Sequence, residues 1–138
     1  MKLTRRDALA LGLGATAVAM LPMRAVAAAD EAIAAFTGGA AAGEGDISLD
    51  APEIAENGNT VPITIDAPGA TAVAIFAAGN PTPAVATFNF GPAAGSQVAS
   101  TRIRLAGTQD VIAVAKMADG SFVQTAKTVK VTIGGCGG

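Results

Sequence analysis

Between residues 47 and 133, hydrophobic and polar residues alternate with a period of two, in short runs separated by turn residues. Ile47-Ser48-Leu49-Asp50 opens the pattern, and Pro52 breaks it because proline cannot donate to a strand ladder. Asn57-Gly58-Asn59 is a turn signal feeding Val61-Pro62-Ile63-Thr64-Ile65-Asp66, whose alternation puts Val61, Ile63 and Ile65 on one face. Thr71 to Ala77 is apolar and partly β-branched. The loop Asn80-Pro81-Thr82-Pro83 follows, and Val85 to Phe90 reads as the next strand. After a turn over 91–95, Gln97 to Leu105 sets Val98, Ser100, Arg102 and Arg104 against Ala99, Thr101, Ile103 and Leu105. Asp110 to Met117 and Phe122 to Ile133 complete the set around an Asp119-Gly120 turn. About seven short strands with no helix between them predict an all-β fold, an immunoglobulin-like antiparallel β-sandwich.

The residues before 47 follow a different pattern. Ile33 and Phe36, with alanines between, predict a short N-terminal helix from Asp30 to Phe36. Asp30 is its expected N-cap, Glu31 suits its first turn, and Gly38, Gly39 and Gly43 end it. Upstream, the basic Lys2, Arg5 and Arg6 precede an apolar run, Ala8 to Met23, broken by Gly12, Gly14 and Pro22. Arg24-Ala25-Val26-Ala27 then carries an A-x-A cleavage site. Thr4-Arg5-Arg6-Asp7-Ala8-Leu9 looks like the twin-arginine export motif, and the run is short for a membrane span. The expected organisation is a twin-arginine signal peptide over 1–27, a β-sandwich over 28–133 and a C-terminal arm over 134–138, in a periplasmic protein.

Composition narrows the chemistry. The chain has 138 residues with no His, Trp or Tyr, so the expected core is built from small aliphatic side chains. Without His, the commonest general base, the triads that depend on it and most zinc and haem sites are excluded. Removing residues 1–27 leaves 5 basic and 10 acidic residues, a balance unsuited to nucleic acid or anionic membranes. A sandwich this poor in large side chains has modest stability alone, and a partner subunit over one face or edge would help.

Few polar constellations survive scrutiny. Asp50, Glu53 and Glu56 cluster around Pro52 but lack the ligand spacing of a calcium loop, and read as solvated acids. Gly12-Leu13-Gly14 and the alanine-glycine stretch at 37–45 do not follow strands as phosphate loops must. Arg102 and Arg104 share a strand face and suit a small anion, solvent or a partner.

The chemistry concentrates in the last five residues, Gly134-Gly135-Cys136-Gly137-Gly138, which hold the one cysteine. Four glycines make a tail that is expected to be flexible and outside any core. Three residues beyond Ile133, extended at about 3.3 to 3.6 Å each, carry the thiol about 10 Å past the folded body. No Lys, Arg or His within the tail favours the thiolate, and the terminal carboxylate two residues on opposes it. The tail therefore supplies access and leaves activation to whatever receives it, as a carrier does and an enzyme's nucleophile does not.

The ending Val131-Thr132-Ile133-Gly134-Gly135-Cys136-Gly137-Gly138 resembles the signature of SoxY, the sulfur-carrying subunit of the periplasmic thiosulfate-oxidising system. Segments 51–58, 61–63, 80–83, 100–104 and 111–120 resemble that family too, over nearly the whole mature chain. The resemblance implies an immunoglobulin-like fold and a complex with SoxZ. It implies covalent attachment of thiosulfate to Cys136 by the haem-containing SoxAX, with Gly134, Gly135, Gly137 and Gly138 as the arm. Sulfate release by SoxB and sulfane oxidation by SoxCD would follow, with no catalytic residue, metal or cofactor in the carrier itself. Two other readings compete: a ubiquitin-like carrier using a terminal thiocarboxylate, and a structural sandwich dimerised through Cys136. The export leader opposes the first, and the absence of a sulfur adduct would mark the second.

Overall fold

The structure, a computed structural model, describes residues 21–133. Its elements run α1 (Leu21–Thr37), β1 (Ser48–Asp50), β2 (Ile54–Ala55), β3 (Val61–Asp66), β4 (Ala70–Ala77), β5 (Ala84–Asn89), β6 (Val98–Ile103), β7 (Gln109–Met117) and β8 (Phe122–Val131). Two sheets form, ordered β1-β3-β6 and β2-β8-β7-β4-β5. Neighbouring strands are antiparallel except for β2, which lies parallel to β8 with Ile54 opposite Lys130 and Ala55 opposite Val131. This is the expected immunoglobulin-like β-sandwich.

The alternation read from the sequence decides which side chains meet between the sheets. In β3, Val61, Ile63 and Ile65 are buried while Pro62 and Asp66 are exposed. They pack with Val73 and Ile75 of β4, Val111 and Ala113 of β7 and Val129 of β8. Every fully buried member of this core is aliphatic, as the composition requires. Burying each Val or Ile contributes about 1.5 to 3 kcal/mol, so the sheets are held together by many small contributions.

The N-terminal helix is longer than predicted. It begins at Leu21, nine residues before Asp30, so Asp30 sits exposed within the helix and is not its N-cap. Alanine has the highest helix propensity, and Ala25 and Ala27 to Ala29 continue the helix upstream. Pro22 falls in the first turn, where its missing N–H costs nothing. The C-terminus ends where expected. The Gly39 N–H donates to the Ala34 carbonyl at 3.1 Å, and Gly38, with φ +67°, occupies the left-handed position that closes such a cap.

The helix covers the outer face of the five-stranded sheet and creates a second core, unforeseen in the sequence. Phe36 meets Phe76 edge-on at 6.4 Å between ring centroids and Phe122 at 5.9 Å. Ala74 and Val114 lie beneath them, with Ile33 and Ile112 at the margin. Three of the five phenylalanines are used here, so the aromatic content serves helix docking and not the contact between sheets. Beyond the helix, Gly43 bridges Val123 of β8, and a Cβ on Gly45 would stand 2.6 Å from a Val123 methyl carbon. The chain can cross the sheet edge this closely only without a side chain.

At the hairpin between β7 and β8, Asp119 accepts hydrogen bonds from the Ser121 hydroxyl at 2.6 Å and the Ser121 N–H at 2.9 Å. Both favour the carboxylate, led by the hydroxyl, and hold the Asp119 pKa below its ordinary value.

Candidate functional site

Cys136 and the glycines at 134, 135, 137 and 138 lie outside the described residues, as does most of the segment read as a leader. The described chain ends at Ile133, and the anchorage of that end is the structural basis of the site. Strand β8 runs ten residues, with eight of them paired to β7 from Gln109 opposite Val129 to Lys116 opposite Phe122. Its Val129 side chain is fully buried, which pins the final turn of the pleat into the core.

Beyond Val129 the strand is locked from both flanks. On one side the Lys130 N–H donates to the Glu53 carbonyl at 2.9 Å, and the Thr132 N–H to the Ala55 carbonyl at 3.0 Å. The Thr132 hydroxyl donates to the Glu56 carbonyl at 3.2 Å. On the other side the Val131 N–H donates to the Thr108 hydroxyl at 2.9 Å. Last, the buried Gly58 donates its N–H to the Ile133 carbonyl at 2.8 Å, while its own carbonyl accepts from Leu105 N–H at 2.7 Å. One residue of the 57–60 turn thus ties the end of β8, in one sheet, to the exit of β6, in the other.

This arrangement revises the reading of the acidic cluster. Glu53 and Glu56 contribute backbone carbonyls to the lock, and Asp50 belongs to β1 on the opposite sheet. Among the described residues no group of three His, Cys, Asp or Glu side chains could hold a metal ion. Strand β2 was not legible because it is two residues long and follows Pro52; its alternation, Ile54 exposed and Ala55 buried, is too brief to register.

Four of the segments singled out in the sequence meet at this pole. Residues 51–58 supply β2 and the turn, and 61–63 start β3 beside it. Asn80 of the 80–83 loop bonds across to the segment after β6. Its amide donates to the Arg104 carbonyl at 2.8 Å, and its oxygen accepts from Ala106 N–H and from Gln109 Nε2, each at 2.9 Å. Gln109 completes the network by accepting from Gly79 N–H at 2.9 Å and donating to the Gly107 carbonyl at 3.0 Å. A buried polar pair is tolerable when every donor and acceptor is used, and here both amides are. The network stiffens the loops that flank the root of the arm.

Arg102 and Arg104 lie on the exposed face at the same pole. Arg102 stands opposite Pro62 in the β3–β6 ladder, and its guanidinium reaches the Thr60 hydroxyl at 3.5 Å. A groove of about 830 Å³ opens elsewhere, between α1 and the other half of β8, lined by Ile33, Gly43, Ile112 and Gln124 to Ala126. Seven residues of strand separate Ala126 from Ile133, roughly 23 Å, so the groove is remote from the arm.

The Thr132 lock carries a prediction. Thr132→Val keeps the shape and the backbone bond to Ala55 but removes the hydroxyl bond to Glu56, which is worth about 0.5 to 1 kcal/mol at an exposed site. Hydrogen exchange of the residue-132 amide is expected to accelerate about two- to fivefold, with the global urea midpoint nearly unchanged. Unchanged exchange would show that the hydroxyl does not hold the root.

The comparisons with known proteins agree with this geometry. The family model described as sulfur oxidation protein SoxY matches residues 33–136. The solved structure of the sulfur carrier protein SoxY from Chlorobium limicola f thiosulfatophilum is 37% identical, with a TM-score of 0.69. The match covers 78% of this chain and 94% of that one. A superoxide reductase (neelaredoxin) from Ignicoccus hospitalis has a TM-score of 0.54 at 13% identity, covering 62% of this chain and 79% of its own; this likeness is of fold alone. None of the curated proteins matches the chain. Among the described residues no helix is long and apolar enough to cross a membrane.

Proposed function

We propose, on the premise that this chain belongs to the SoxY family of sulfur oxidation proteins, that it is a non-catalytic carrier of sulfur intermediates with Cys136 as the attachment point. The observation that carries this reading is the family match itself, which runs through a core strand and its anchored end to Cys136.

Loading joins the Cys136 sulfur to the sulfane sulfur of thiosulfate. One S–S bond forms, the thiol proton is released, and two electrons leave to a haem partner of the SoxAX kind. Hydrolysis of the adduct by a SoxB-type enzyme adds water to the terminal sulfone and releases sulfate, leaving a persulfide on Cys136. A SoxCD-type dehydrogenase then oxidises that sulfur. The carrier's own part is physical: Gly134, Gly135, Gly137 and Gly138 make an arm of minimal bulk, and the lock at Gly58 and Thr132 sets where it begins. No cofactor is needed for that part. SoxZ is the proposed stable partner, and export by the twin-arginine route to the periplasm is the proposed location, supported by the Arg5-Arg6 leader.

Intact mass spectrometry of the protein from thiosulfate-grown cells, before and after reduction, tests the reading. Reducible adducts of thiosulfate or sulfane mass, localised to Cys136 by fragmentation, are expected. A bare thiol or only a disulfide dimer, while thiosulfate is being consumed, would overturn it.

A further inference from the structure

Arg102 and Arg104 are the only arginines after Arg24, and the carrier mechanism above does not use them. Both are exposed, both fall on one face of the β6 segment, and Arg102 leans onto Thr60. Thr60 closes the turn whose Gly58 holds the Ile133 carbonyl. The guanidinium is therefore separated from the root of the arm by one hydrogen bond and two residues of chain. A hydrogen-bonded backbone pair stands about 5 Å apart and two residues span at most about 7 Å, so the separation is on the order of 10 Å. Three extended residues from Ile133 to Cys136 cover a similar distance of about 10 Å. A thiosulfate adduct then extends the side chain by further sulfur bonds of roughly 2 Å each.

We propose that Arg102, with Arg104 beside it, is a docking site for the anionic sulfonate end of a Cys136 adduct, holding the loaded arm against its own carrier between encounters. This rests on the carrier reading and adds a site to it. The chemistry suits the ligand: a guanidinium presents a planar fork of N–H donors that matches the oxygens of a tetrahedral oxyanion. The bare thiol carries no charge for it to hold, so the site discriminates loaded from empty arm. The opposite flank of the root offers the exposed carboxylates of Glu53 and Glu56, which repel an anion. An exposed pair of charges is worth about 0.2 to 1 kcal/mol, enough to bias the arm and weak enough to release it to a partner.

The test uses the purified full-length chain, in which Cys136 is the single thiol. Tetrathionate forms the adduct directly: the thiolate attacks one central sulfur, a new S–S bond forms as the old one breaks, and thiosulfate leaves with the electron pair. Rate constants are measured for tetrathionate and for neutral iodoacetamide, and their ratio cancels any change in thiol exposure or ionisation. At low salt the ratio is expected to fall about threefold in Arg102→Gln and to be unchanged in Lys116→Gln, which removes one positive charge elsewhere. The difference should vanish at about 0.5 M salt, where screening reduces the Debye length to a few ångströms. An unchanged ratio in Arg102→Gln, or an equal fall in Lys116→Gln, would overturn the proposal. Because the adduct is made chemically, either outcome is independent of whether cells load Cys136.

Discussion

Replacing Cys136 with serine is expected to abolish thiosulfate oxidation by a system reconstituted with this chain, and to remove every reducible adduct from its mass spectrum. The substitution exchanges sulfur for an oxygen that cannot form a disulfide or persulfide and is too weak an acid to ionise near neutral pH. Nothing in the described fold depends on this position, since the anchored strand ends at Val131 and the lock ends at Ile133. The urea midpoint should therefore stay within about 0.5 kcal/mol of the parent, as for a surface substitution. Loss of activity with an intact fold separates attachment from structure. Retained activity would shift the function to the terminal carboxylate, as in a ubiquitin-like carrier.

The largest expected effect on stability lies on the opposite face of the five-stranded sheet. Phe76 is 2% exposed, joins Ala74 and Val114 in the outer core, and meets Phe36 of the helix edge-on. Phe76→Ala removes a buried ring and leaves a cavity beneath a helix that has few other large contacts. Such changes cost about 3 to 5 kcal/mol, of the same order as the whole stability of a small domain. Denaturant unfolding should show that loss, and limited proteolysis should cut between residues 38 and 45 as α1 comes free. Phe76→Leu retains most of the volume and should lose about 1 kcal/mol. A loss below 1 kcal/mol in the alanine variant would mean that the helix is dispensable to the sandwich.

The sequence was most informative where one period governs both local structure and burial. The alternation in 61–66 and 97–105 placed Val61, Ile63, Ile65, Ile103 and Leu105 inward without reference to any partner strand. It was less informative where burial comes from docking. Phe36, Phe76 and Phe122 lie on three different elements, and only the placement of the helix over the sheet brings them together. The helix start was misread for a related reason: Asp30 is a good capping residue, but an alanine-rich stretch before it continued the helix. The arm was legible from composition, since five residues with four glycines and the only thiol stand apart from everything before them. Its anchorage was not. The Thr132 hydroxyl and the Ala55 and Glu56 carbonyls are 76 to 77 residues apart in sequence, and their meeting depends on the parallel pairing of a two-residue strand.

That pairing has a mechanical consequence. An arm withdrawn from a narrow partner channel transmits tension along the axis of β8. Because β8 lies between β7 and β2, with hydrogen bonds running across the line of pull, the load falls on many bonds at once and does not open them singly from one end. Gly58 spreads part of that load into the second sheet through Leu105. The sandwich is thus attached to its cargo in shear, the geometry in which a β-strand resists extraction, and repeated insertion and withdrawal of the arm need not loosen the fold that carries it.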